Sequence, residues 1–256
     1  MVTIIAGPNQ DEIKIYRDFL CWWSLYFLWQ IIKAILNGAK PDAVVLVEPN
    51  LDIRALRTFR HYTASQGDEL LYEHKDETLA DKTVLWQAVR AYRFGVQIKA
   101  AKFLDAIINQ LVGHFTDQNE LPPLEMLRWC LKNLKEDATI TELFIDKWAY
   151  HGVPDTRETA MMVTFLKPQQ LARLYAGAAE RAQILQEGNA FLPPWEDDIC
   201  EYHQHDAKEG PECKAAAKER AKNKPKKTKA APKKRKAEQE VLQAKPFKNT
   251  KTIVLD

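Results

Sequence analysis

Short β-branched runs open the chain, and helical periodicities fill most of the remainder. Val2-Thr3-Ile4-Ile5 and Ile13-Lys14-Ile15 flank the punctuation Gly7-Pro8-Asn9, a combination that predicts a hairpin. Asp18 then offers an N-cap, and the apolar run from Phe19 to Phe27 predicts a buried helix. In the stretch 29–42, Trp29, Ile32 and Ile35 share one helix face. That pattern fits an extended core helix, with an exposed partner site as the alternative. Ala43 to Glu48 reads as a third strand, and Asp52 to Tyr62 carries Ile53, Leu56 and Phe59 at helical spacing. Two further helices lie between Leu79 and Val112, the first marked by Val84, Leu85, Val89 and Tyr92 and the second by Phe103, Leu104, Ile107, Ile108 and Leu111. Gly95 between them suits the C′ position of the first.

A second helical block begins after the break at Leu121-Pro122-Pro123. Leu124, Leu127, Leu131 and Leu134 form one amphipathic face. Thr141 is placed to cap Glu142–Tyr150, with Leu143, Phe144, Ile145 and Trp148 inward and His151-Gly152 as the terminator. Asp155 or Thr156 begins a helix over Glu158–Leu166, and Pro168–Gln186 supplies one more. The pattern therefore predicts an α+β chain organised as 1–114, a helical extension over 115–195, a Cys/His loop over 196–213, and a tail over 214–256.

The order strand, turn, strand, then Tyr16-Arg17-Asp18-Phe19-Leu20-Cys21 and Ser24-Leu25-Tyr26-Phe27, resembles the opening of the BTB/POZ domain, whose usual text is F-x-V-H-K-x-L-L-x-x-x-S-x-Y-F. Tyr16 stands where that family commonly has His. Phe59 with Tyr62-Thr63 looks like the family's F-x-x-W-L-Y-T-G segment. Trp86 to Val96 resembles the L-Y-x-L-A-x-x-L helix of fungal members, and Leu143 to Gly152 the L-L-V-D-x-Y-A-Y-H-G segment found after the domain in many of them. The resemblance implies a small sheet capped by helices over residues 1–114, and an adaptor or scaffold that binds protein partners. It also implies a possible homodimer and, as an alternative, a substrate adaptor of a cullin-3 ubiquitin ligase.

Charge separates the chain into two parts. Residues 1–213 hold 22 Lys/Arg against 31 Asp/Glu, whereas 214–256 hold 15 against 4, so the overall +2 conceals an acidic body and a basic tail. Between Lys214 and Lys248 the tail has almost no large apolar side chain and is expected to be disordered, since it cannot offset its ordering entropy by burial. Within it, Pro232-Lys233-Lys234-Arg235-Lys236 resembles a nuclear localisation signal, with Lys224, Lys226, Lys227 and Lys229 as a second basic cluster upstream. An import receptor in the nucleus-bound pathway is the expected partner. Weak, non-specific phosphate contact with nucleic acid, as in a chromatin-associated regulator, is the alternative. No run reaches the roughly 18 apolar residues of a membrane helix, which argues against a membrane partner.

Cys200, His203, His205 and Cys213 form C-x2-H-x-H-x7-C. Two thiols and two imidazoles are the ligand types and number of a closed structural Zn2+ site, with an unmetallated loop as the alternative. The lead-in Phe191 to Glu196 resembles that of a C-x-Y-H-x-H element at the end of fungal BTB proteins. Cys21 and Cys130 lie in apolar helical text and read as buried thiols without a disulfide framework. The sequence holds no Gly-rich phosphate loop and no G-x-S-x-G elbow, and His151 reads as part of a helix end. A non-enzymatic protein is the expectation.

Overall fold

A computed structural model describes residues 1–65, 84–117, 121–135, 138–152, 156–190, 192–197 and 199–204. The fold is α+β and mostly helical, with one small three-stranded sheet. Strand β1 (Val2–Ala6) pairs antiparallel with β2 (Asp11–Ile15), Ile4 opposite Ile13, and parallel with β3 (Val44–Glu48), Ile4 opposite Leu46. The sheet order is β2-β1-β3. Val2, Ile4, Ala6, Ile13, Ile15, Val44 and Leu46 fill the core-facing side, so the period-2 pattern sets the register. The expected hairpin turns at Gly7, whose φ of +73° is open to glycine at little cost, and Gln10 N–H donates to the Gly7 carbonyl at 3.2 Å.

A parallel β1–β3 pair needs a long crossover, and two helices supply it. The apolar run expected to form one buried helix is divided at Ser24 into α1 (Arg17–Trp23) and α2 (Leu25–Leu36). The extended Ser24 backbone breaks the helix. Its Oγ accepts from Phe27 N–H at 3.2 Å and donates to the Ile98 carbonyl at 2.6 Å, which both caps α2 and ties the break to the next helical connection. Asp18 does not cap α1. The N-cap is Tyr16, without a side-chain bond, and Asp18 sits inside the first turn.

Asp52 caps α3 (Ile53–Ala64) through Oδ1, which accepts from Arg54 N–H and Ala55 N–H at 2.9 and 3.2 Å. Helices α4 (Val84–Gln97) and α5 (Ala101–Asp117) form an antiparallel hairpin against α3. Phe59 lies 5.8 Å from Phe94 and 5.1 Å from Phe103, ring centre to ring centre. Gly95 is not the C′ residue of α4. It lies within the helix where α5 crosses closely: a Cβ there would come within 2.6 Å of Leu104 Cδ2. The left-handed turn falls instead at Lys99, φ +52°.

The second block contains α6 (Leu124–Asn133), α7 (Thr139–His151), α8 (Thr156–Phe165), α9 (Pro168–Gln186), the short α10 (Pro194–Asp197) and a 3-10 helix at Ile199–Tyr202. Helix α7 is buried almost all round, by α9, α6, α10 and the 3-10 helix. Thr141 is therefore not its cap: the helix begins at Thr139 behind Ala138, and Thr141 is an interior residue. Gly177 of α9 permits the closest approach, since a Cβ there would meet Ala149 Cβ at 3.0 Å. Side chains from Val2 to Tyr202 join one hydrophobic cluster, and α5 runs through the expected boundary at residue 114. Among the described residues, no helix is long and apolar enough to cross a membrane.

Candidate functional site

Helix α2 is apolar on two sides, but only one side meets the core. Phe27 and Ile31 are buried, while Leu25, Trp29, Ile32 and Leu36 are 57, 67, 37 and 82% exposed. Their spacing of four, three and four residues puts them on one outward stripe. Helices of globular proteins normally turn such positions inward, and here they form an apolar stripe on the surface. Trp22, at the end of α1, is 70% exposed, and Lys102 Nζ lies 5.3 Å from its ring centre. Of the three residues whose spacing suggested an extended core helix, Ile35 packs against the core, whereas Trp29 and Ile32 face outward. Helical spacing identifies a face without saying whether protein or solvent lies beyond it.

Residues 192–197 and 199–204 form a strap over α5 and α7. Trp195 is buried and meets Phe115 and Tyr150 at 5.9 and 5.4 Å. Between these rings lies Lys147, 1% exposed, its Nζ 5.0 Å from Phe115, 5.1 Å from Trp195 and 6.0 Å from Tyr150. The ammonium donates to the Phe115 carbonyl at 3.1 Å. Burial lowers its pKa from the ordinary 10.5, while the ring faces and the carbonyl give the charged form partners. This aromatic cage is filled by the chain's own lysine and acts as a clamp.

A second clamp lies one residue earlier. Arg173 of α9 donates Nε–H and Nη2–H to the two oxygens of Asp146 at 2.7 and 2.6 Å, and Tyr202 O–H donates to Oδ2 at 2.5 Å. Bidentate geometry makes this stronger than an exposed pair. Burial, then the Asp146 carboxylate, pushes the Tyr202 hydroxyl well above the ordinary tyrosine value. Gln204 N–H donates to Asp105 at 2.6 Å, and its side chain donates to Tyr92 O–H at 3.1 Å. Both clamps were hidden from the sequence, because their partners lie 27 to 56 positions apart for Asp146 and 32 for Lys147 and Phe115.

Of the four proposed metal ligands, Cys200 is buried in the 3-10 helix and His203 is half-buried just after it, with His203 N–H donating to the Cys200 carbonyl at 3.3 Å. His205 and Cys213 lie outside the described residues, as do all the basic residues of the proposed import signal, Lys224 to Lys236. Among the described residues no group of three or more His, Cys, Asp or Glu side chains is arranged to hold a metal ion. Cys130 is a buried thiol, pushed up to about 12 by desolvation, whereas Cys21 is only half-buried. No family model, curated protein or solved structure matches the chain.

Proposed function

We propose that this protein is a non-enzymatic interaction module with a BTB/POZ-type N-terminal half that self-associates through the outward face of α2. The observation that carries the reading is the stripe Leu25, Trp29, Ile32 and Leu36 on a helix that already buries its opposite side. A two-fold pairing would place the same stripe against itself, which is the self-complementary geometry of the commonest homo-oligomers. The order of elements supports the family reading: hairpin, helical pair, a strand parallel to the first, one helix, then a helical hairpin. In this reading the Lys224–Lys236 segment serves as the import signal, and the assembled dimer presents partner surfaces on both copies.

Size-exclusion chromatography with light scattering on the full chain tests it. The expected mass is twice 29.5 kDa for the natural sequence. It should fall to the monomer value for Trp29→Glu with Ile32→Glu, without loss of helical circular dichroism. A natural chain that runs as a monomer at every concentration loaded would refute the self-association.

A further inference from the structure

The stripe on α2 has a symmetry of its own. Leu25, Trp29, Ile32 and Leu36 are spaced by four, three and four residues, so the series reads the same from either end of the helix. Its midpoint falls between Gln30 and Ile31. A twofold axis set at right angles to α2 through that midpoint brings Leu25 of one protomer onto the partner's Leu36, and Trp29 onto the partner's Ile32. Every stripe residue of both copies then has a facing residue, and the stripe is its own complement. A twofold axis parallel to α2 is the other self-pairing open to it, and sets each residue against its own copy.

Side-chain size separates the two arrangements. Parallel pairing puts two indoles into one layer and two isoleucines into the next. Antiparallel pairing gives both central layers one indole and one isoleucine and both outer layers two leucines, which fills the space between the helices evenly. Charge points the same way. Lys33 is the one charged residue of α2 and is exposed beside Ile32. Parallel pairing holds both Lys33 side chains at one level, whereas antiparallel pairing staggers them by about 7.5 Å along the axis. It also sets the positive end of each helix dipole beside the negative end of the other. The flanks of the helix differ too. Trp22, just ahead of α2, is 70% exposed, while a side chain placed on Gly38, just beyond the other end, would meet nothing within 4 Å. Antiparallel pairing carries the indole of one protomer to the open end of the other, and parallel pairing crowds two indoles together.

We infer that two copies of this chain pair antiparallel through α2, with Leu25 against the partner's Leu36 and Trp29 against the partner's Ile32. This rests on the self-association proposed above and adds its direction and register.

Cysteine cross-linking of the full chain tests the inference. A Cys21→Ser background removes the half-buried thiol of α1. In it, one preparation carries Leu25→Cys, and a second, made longer by an affinity tag, carries Leu36→Cys. The two positions lie about 16 Å apart along one helix, whereas a disulfide needs Cα atoms within about 7 Å. Mild oxidation of an equal mixture should link the short chain to the long one, up to about half of the dimers being mixed pairs. Each preparation oxidised alone should stay at the level of the Cys21→Ser chain. Linkage within the Leu25→Cys preparation alone would overturn the inference, because a parallel pair is what brings that position to its own copy. A mixture without the mixed band would overturn it as well. Light scattering on the same samples tells the failures apart: a dimer mass without the mixed band removes the register and keeps the self-association, and a monomer mass removes both.

Discussion

His151 closes α7 with its ring edge-on to Tyr150 at 5.8 Å, near the Lys147 and Arg181 cations. Burial first, then those two positive charges, holds its pKa below the ordinary 6.5. Below that value the unfolded chain takes up a proton that the folded chain still refuses, so stability falls as pH drops through this window. The melting temperature of the full chain should decline between about pH 7 and 5, where an unperturbed imidazole titrates. His151→Gln should flatten part of that decline, and an unaltered slope in the variant would remove His151 as its source. The position of His151 at a helix end was readable from the adjoining Gly152, which has φ +99°. Its electrostatic surroundings were not, because Arg181 arrives from α9.

At the scale of elements, the tightest fit is the crossing of α4 and α5 at Gly95. A methyl group there would lie 2.6 Å from Leu104 Cδ2 and 3.1 Å from Phe103 Cδ1, both of them in the packed centre of the hairpin. Gly95→Ala should therefore destabilise the protein by about 1–3 kcal/mol, the usual cost of overpacking, although alanine favours helix at an exposed site. Chemical denaturation measures this, and adding Leu104→Ala should restore part of the loss. A neutral or stabilising Gly95→Ala would show that the crossing relaxes freely. Local signals made the strands, α3 and the full extent of α9 legible: β-branched runs around Gly7-Pro8, Asp52 before a periodic segment, and Pro168 at a first turn. They failed where tertiary contacts overrode them. Gly95 looked like a terminator but is a packing residue, Thr141 looked like a cap but is interior, and Ser24 breaks a helix because Ile98 accepts its hydroxyl from 74 positions away. The candidate interface was legible only as a periodic apolar face, and its outward direction came from the packing of Phe27 and Ile31.

For the molecule as a whole, the strap is part of the core even though it borders the tail. A chain ending after residue 204 should melt like the full protein, whereas one ending after 190 loses Trp195 and Tyr202 from the buried cluster. Deleting one buried tryptophan side chain alone costs about 3–5 kcal/mol, and the shorter chain also strips a partner from Asp146. A lowered melting midpoint or insolubility of the 190-residue chain is the expected result, and equal melting of the two would show that the strap is dispensable. The cage around Lys147 has a further consequence during synthesis. A ribosome adding about 5–20 residues per second delivers Lys147 well before the indole that covers it. Until Trp195 emerges, the nascent helical block carries a half-covered cation in a greasy socket, and a premature stop in between leaves it in that condition permanently. A copy cut short there keeps the Lys147 ammonium while lacking one of the three ring faces that partner it.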